Sequence, residues 1–315
     1  MNENDLDKAV AILNKETVLS AIADKIKDWE INVWIPFISS HLGNQFRKLN
    51  NINIEPDQLN TISIIISNWE RAYYIPYVIE MISIQDYPKN KIEIIIVDSN
   101  SENKDILYDL CKLSSDRHRD LNINLYQTNK DITKNYSHRR NVGARISNNH
   151  IILMFESDTI PLFDDYFKRL SGAFTRFGDI MWQPISIGCA HFLNTNGTIL
   201  DSMINYFNIP HRPSHDFGIA ILRNRYYDMT GFDEHHIGWG GHEGNFFSRL
   251  EKVGVPAYMD KQAYSLQLSN FPISMGNTDI KNKIGLVNIK NDWSPNYRSN
   301  NDWGNLEGVN KIELK

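Results

Sequence analysis

Two carboxylates, Glu156 and Asp158, stand with one residue between them where an apolar run ends. The run His150-Ile151-Ile152-Leu153-Met154-Phe155 reads as a buried strand, and Thr159, Ile160 and Pro161 are expected to stop it. Carboxylates at i and i+2 on the last extended residues can share a divalent cation. A hard ion such as Mn2+ or Mg2+ held there could bridge substrate phosphates. In open α/β sheets the carboxyl ends of the strands are where ligands bind. Taken alone, so short a tripeptide is better explained as an acidic turn that solvates a strand end. The flanking chain turns the reading towards chemistry.

Asp98 has the same placing, after the apolar run Ile92 to Val97. A carboxylate there can accept a hydrogen bond from a base N–H or a ribose hydroxyl. It can also simply cap the helix that follows. A third cluster is basic: Tyr136-Ser137-His138-Arg139-Arg140-Asn141-Val142-Gly143-Ala144-Arg145 contains no acidic residue. Arg140 is the candidate to pair with a pyrophosphate through two parallel hydrogen bonds. Arg139 and Arg145 are expected to be solvated helix charges.

The elements that must position these groups follow from apolar periodicity. Ile62 to Ile66 is a strand ending in Ser67-Asn68-Trp69-Glu70-Arg71, and a helix is expected from about Ala72 to Ile84 with Tyr73, Tyr77, Val78 and Met81 on one side. Ile92 to Val97 is the second strand, and a helix over Lys104 to Leu113 follows. Asn122 to Gln127 is the third strand, and a helix over Asn135 to Ile146 leads to the strand that presents Glu156 and Asp158. Alternating apolar strands and helices imply an α/β fold with a mostly parallel central sheet covered by helices on both faces. Right-handed crossovers then collect Ser67, Asn68, Asp98, Ser99 and the two carboxylates along one edge, a site that suits a nucleotide. Residues 1–60 read as an N-terminal helical extension, 61–271 as the main domain, and 272–315 as a tail or an aromatic lid.

A net charge of −5 argues against a general nucleic-acid binder. Cys111 and Cys189 form neither a metal-ligand pattern nor a disulfide framework, which suits a reducing cytosol. No apolar stretch reaches the roughly 18 residues that span a bilayer. The expected setting is therefore cytoplasmic, with peripheral association at the inner face of the membrane left open.

Five segments in order resemble family 2 glycosyltransferases with the GT-A fold: Ser-Ile-Ile-Ile-Ser-Asn-Trp-Glu-Arg, Val-Asp-Ser-Asn-Ser, Arg-Arg-Asn-Val-Gly-Ala, Phe-Glu-Ser-Asp-Thr-Ile-Pro, and Gly231-Phe232-Asp233-Glu234 followed by Gly238-Trp239-Gly240-Gly241-His242-Glu243. The last resembles the GFDE…GWGGED block of chondroitin-polymerase-like and β-1,4-galactosyltransferase enzymes. The resemblance covers about residues 61–270. It implies that Ser67, Asn68, Arg71 and Asp98 hold the uridine of a UDP-sugar, with Arg140 near its phosphates and Ser157 near its ribose. Asp158 would be the principal ligand of a Mn2+ or Mg2+ ion. Trp239, Gly240 and Gly241 would shape the sugar pocket. Glu243 falls where the family has its catalytic base. A single base on the acceptor face implies inversion, with a hexose or N-acetylhexosamine passing to a glycan or glycolipid acceptor, as in bacterial surface polysaccharide synthesis.

The chain departs from that pattern at three points. Glu156 opens the metal motif where Asp is usual. His242 replaces a Glu, which points it towards the acceptor or, less simply, the metal. The stretch Tyr264-Ser265-Leu266-Gln267-Leu268 lacks the histidine that often completes the metal site. Trp182 has two readings, a wall against the acceptor sugar and ordinary core packing. Asp233 and Glu234 read as turn residues. Two functional alternatives stay open: a peptide or protein acceptor, and a sugar-nucleotide-binding protein without catalysis. A tryptophan-glycine-glycine-acidic block also occurs in retaining polypeptide N-acetylgalactosaminyltransferases.

Overall fold

A computed structural model describes residues 58–128, 135–190, 207–208, 218–235, 242–269 and 303–314. The expected N-terminal extension, Trp239 to Gly241 and the aromatics Trp293 and Tyr297 lie outside the described residues.

Four strands form the parallel half of the sheet: β1 (Ile62–Asn68), β2 (Ile92–Asp98), β3 (Asn122–Thr128) and β4 (Ile151–Glu156), side by side in the order β3-β2-β1-β4. Every residue of β1 is buried, because β1 has a strand on each side and helices over each face. Its alternation explains the unbroken apolar run. Ile62, Ile64 and Ile66 face one core with α1 (Ile75–Ser83) and α2 (Lys104–Arg117), where Tyr77, Met81 and Leu107 pack. Ile65 faces the other side with Ala144 of α3 (Tyr136–Ile146). In β2, Ile94 and Ile96 follow the first set, while Ile95 and Val97 meet Val142 of α3. A short 3-10 turn (Ala72–Tyr74) precedes α1 and leaves Tyr73 exposed, against the expectation that it joined the packed side. The helix α2 runs one turn beyond the expected end at Leu113.

The sheet continues from β4 through β8 (Ile219–Leu222), β6 (Met181–Ala190), β9 (Ala257–Ser269) and β5 (Thr159–Leu162). Here β6 and β9 are parallel, and the other pairings are antiparallel. The short β7 (Phe207–Asn208) pairs with β6. The residues expected to stop the fourth strand therefore form a strand of their own. Pro161 is accommodated because β5 is the last strand of the sheet, where a missing N–H leaves no ladder gap on the outer side. α4 (Tyr166–Phe177) covers this half with Phe167, Leu170 and Phe174. Trp182 is wholly buried there, edge-on to Tyr166 at 5.3 Å between ring centres. It is a core residue, which corrects the reading of it as a wall against the acceptor.

After β8 come α5 (Arg223–Asp228) and α6 (His242–Lys252). Phe246 and Leu250 of α6 pack with Tyr226 and Phe232, while Val253, just past its end, is exposed. The last described segment returns to the domain: β10 (Val309–Ile312) pairs antiparallel with the outer side of β3. Trp303 is buried edge-on to Tyr227, with the Arg145 guanidinium 4.0 Å from its ring centre. Residues 303–314 thus belong to the main domain and not to a separate tail, and Arg145 is a packing cation, not a solvated one. Among the described residues no helix is long and apolar enough to cross a membrane.

Candidate active site at the carboxyl edge of the sheet

The parallel register places Asn68 opposite Asp98 and Ser67 opposite Glu156, so three strands end together. The loops after β1 and β2 are joined to each other. Asn68 Nδ2 donates to Asp98 Oδ1 at 2.8 Å, Ser99 N to Asn68 O at 3.1 Å, and Glu70 N to Ser101 Oγ at 2.9 Å. Asp98 also accepts from the Ser101 hydroxyl at 2.6 Å and the Ser101 N–H at 3.1 Å. Asp98 is wholly buried, and both of its oxygens already brace the loop. Asp98 does not cap the helix that follows, which begins at Lys104 with Asn103 at its N-cap; it braces the loop before that helix. Glu70 and Asn100 adopt positive φ (56° and 48°), a conformation that Asn tolerates and that is uncommon for Glu. The turn at Glu70 directs Arg71 back over the sheet edge.

The basic helix α3 is buried from Ser137 through Ala144, although little of it is apolar. Its first turn is capped by Asn135, whose Oδ1 accepts from His138 N at 2.9 Å. Gly143 allows the close approach to β1, since a Cβ there would collide with the Ile65 side chain. Each buried polar group then needs a partner, and the long-range contacts supply them. Ser137 Oγ meets His242 Nδ1 at 2.8 Å, and His138 Nδ1 meets Glu234 Oε2 at 3.0 Å. Arg139 Nη1 donates to Ser99 Oγ at 2.9 Å, and its guanidinium lies 4.3 Å from the Tyr136 ring centre. Asn141 donates to Phe232 O and Glu234 Oε1, and accepts from Tyr226 OH and Phe232 N. Arg139 is 1% exposed, which overturns its reading as a solvated charge.

Arg140 is the centre of the site. Its Nη2 donates to Glu156 Oε1 at 2.5 Å and its Nη1 to Glu243 Oε1, so one buried guanidinium joins β4 to the first turn of α6. Burial alone would push the Glu243 carboxyl up. Arg140, with help from His242, outweighs it and holds Glu243 down at about 2. Its place in the first helical turn adds a favourable dipole.

Asp158 forms a second ion pair. Arg71 Nη1 donates to Asp158 Oδ2 at 2.5 Å, and Gln267 Nε2 approaches the same oxygen at 3.4 Å. Burial by itself would lower the Arg71 pKa, but the Asp158 carboxylate raises it overall. Asp158 Oδ1 is buried and has no hydrogen-bond partner among the described residues. An orphaned carboxylate oxygen at a strand end fits a hard cation. Among the described residues no three His, Cys, Asp or Glu side chains gather around one point. A cation at Asp158 would therefore draw most of its ligands from phosphate and water, as Mg2+-type ions commonly do.

Of the residues singled out in the sequence, Ser67, Asn68, Arg71, Asp98, Arg140, Glu156, Ser157, Asp158 and Glu243 lie at or beside this edge, all buried except the half-buried Arg71. Besides Trp182, three placements differ from expectation. Arg71 is on Asp158, not with the loop that would hold a uridine. Glu156 turns to Arg140. His242 is 2% exposed and clamps α6 to α3, which removes it from the acceptor surface. Glu234, expected as a turn residue, ties α3 to the chain at Gly304, whose N–H it accepts at 2.6 Å. Gln267 was missed. Its signal is the pairing of β5 with β9, which sets it opposite Thr159, next to Asp158.

The profile described as "Glycosyl transferase family 2" matches residues 63–236, more than half of the chain. The chain belongs to glycosyl transferase family 2. The match ends before α6, so it covers the strand ends and α3 but not Glu243. No curated protein is matched by the sequence. Several solved structures resemble this glycosyltransferase. GalNAc-T7 with UDP, GalNAc and Mn2+ has a TM-score of 0.52 at 13% identity, covering 68% of this chain and 44% of that one. S. aureus TarS 1-349 with UDP-GlcNAc has a TM-score of 0.49 at 17% identity, covering 68% and 61%. The mannosyltransferase PcManGT from Pyrobaculum calidifontis with GDP-Man and Mn2+ has a TM-score of 0.48 at 14% identity, covering 84% and 68%. The chain thus spans 44–68% of the lengths of these proteins. Family membership and the likeness to GalNAc-T7 establish the fold as GT-A.

Proposed function

We propose that this glycosyltransferase moves a hexose or N-acetylhexosamine from a UDP-sugar to a hydroxyl of a glycan or glycolipid acceptor, with inversion, in bacterial surface polysaccharide synthesis. One observation carries the reading: Arg140 ties Glu243 to Glu156, two residues before Asp158. A carboxylate held ionised, and so open to a proton, and one suited to a cation thereby share one edge. The fold relative GalNAc-T7 was solved with UDP and Mn2+, which supports a donor of this class.

The nucleotide lies along the ends of β1, β2 and β4, where Ser67 and Asn68 face it and Asp98 keeps the loop in place. Asp158 holds the cation, with the Gln267 side chain beside it. Bound there, Mn2+ or Mg2+ supplies the charge that stabilises the departing diphosphate. Glu243 takes the proton of the acceptor hydroxyl as its oxygen attacks the anomeric carbon. Paired with Arg140, Glu243 is a weak base. The negative diphosphate, arriving near the fixed Arg140 guanidinium, offsets part of its charge and raises the basicity of Glu243 as the donor binds. Trp239 and Gly241 remain the candidates for the sugar pocket. The test is Glu243→Gln. It should abolish sugar transfer while UDP affinity changes by less than about threefold, since uniform binding and transition-state roles separate in this way. Equal loss of both would place Glu243 in the binding site and not in the chemistry.

A further inference from the structure

Asp158 is 1% exposed at its side chain, and a carboxylate so placed needs a positive partner at all times. The protein supplies that charge in an uneven way. Arg140, 3% exposed and fixed in α3, serves Glu156 and Glu243. Among the described residues Arg71 is the cation paired with Asp158, and it differs in kind: its side chain is 23% exposed and it extends from a loop just past the positive-φ turn at Glu70. Arg71 is thus the partner better placed to move, whereas Asp158 is held between β4 and β5. Arg71 takes Oδ2, and Oδ1 remains without a hydrogen bond. A divalent cation arriving at Oδ1 would meet a guanidinium already on the same carboxylate. Two like charges this close repel strongly in a buried site. The cation can settle only as Arg71 leaves, and the displaced guanidinium then needs an anion. A nucleoside diphosphate presents one, in the bidentate geometry that guanidinium favours.

We propose that Arg71 is a built-in counter-cation for Asp158, displaced by the divalent metal and received by the diphosphate of the incoming nucleotide. This rests on the reading of Asp158 as the metal ligand. Arg71 thereby couples the two ligands: the nucleotide-free protein holds the metal weakly, and the nucleotide removes the competitor. Such coupling is reciprocal, so the metal strengthens nucleotide binding by the same factor.

The test measures Mn2+ binding to the full chain by the electron paramagnetic resonance signal of free Mn2+, and UDP binding by calorimetry, for wild type, Arg71→Gln, Arg71→Lys and Asp158→Asn. Arg71→Gln should bind Mn2+ alone about tenfold or more tightly than wild type, and bind UDP in the presence of Mn2+ about tenfold more weakly, within the usual range of coupling factors. Arg71→Lys keeps the competing charge and should stay within about threefold of wild type for Mn2+ alone. The opposite signs are the signature. A merely structural role would weaken both, and a role confined to phosphate binding would leave Mn2+ affinity unchanged; either result overturns the proposal. Asp158→Asn separates this failure from that of the underlying reading. If Mn2+ binds no protein, or binds Asp158→Asn as well as wild type, Asp158 is not the metal ligand and both fall.

Discussion

Replacing Arg140 with glutamine removes the buried charge that is paired with both Glu156 and Glu243. The cost can be approached in two ways. Breaking a buried pair by deleting one partner costs about 3–5 kcal/mol. Holding Glu243 at about 2 instead of the ordinary 4.5 corresponds to about 3 kcal/mol, at about 1.4 kcal/mol per pH unit. The two agree. For a domain this large each kcal/mol moves the melting temperature by about 2 °C, so Arg140→Gln should melt about 6–10 °C below wild type at pH 7. The pH dependence has a definite sign. In wild type the Glu243 pKa lies below its unfolded value, so its contribution is full above about 4.5 and fades as the pH falls towards about 2. In the variant, burial, the largest influence on Glu243, is opposed only by His242 and a backbone hydrogen bond, and is expected to bring the carboxyl above its ordinary value. That folded state gains stability as the pH falls. The gap between the two proteins should therefore narrow steadily between pH 7 and about pH 4. Circular dichroism melts across that range measure it. A gap that stays constant with pH, or one of less than about 2 °C at pH 7, would refute the assignment of Arg140 as counter-charge.

Other substitutions test the framework around the site. Gly143→Val drives a side chain into Ile65, where α3 rests on β1, and should cost about 1–3 kcal/mol with a matching fall in melting temperature. An unchanged melt would mean that α3 does not lie so close. Trp303→Ala empties a buried aromatic site between Tyr226, Tyr227 and Arg145, at a cost of about 3–5 kcal/mol. It should expose residues 303–314 to limited proteolysis well before the rest of the domain, and simultaneous cleavage would contradict their role as an anchored return.

The half of the fold that carries the strand ends was legible in the sequence, because a strand covered on both faces is written as a continuous apolar run. Ile62 to Ile66, Ile92 to Val97 and Ile151 to Phe155 each lead straight to a polar residue at the site. The second half was less legible, since its pairings depend on residues far apart in sequence. Pro161 looked like a strand terminator and is tolerated only because β5 ends the sheet. Arg139 looked solvated because nothing near it in sequence announces Ser99 as its partner. The link from Arg140 to Glu243 spans 103 residues, and no local pattern encodes it. Gln267 and Trp303 were hidden for the same reason: both belong to the site or its frame through strand pairing and return contacts, not through spacing.

Calorimetric titration of UDP into wild type and Asp158→Ala, each with and without Mn2+, tests the central claim most directly. UDP should bind wild type at least about tenfold more tightly with Mn2+ than without, a difference of about 1.4 kcal/mol, and Asp158→Ala should lose that gain. UDP binding that is indifferent to Mn2+, or equal in the two proteins, would contradict the assignment of Asp158 and with it the metal-dependent transfer proposed for this site.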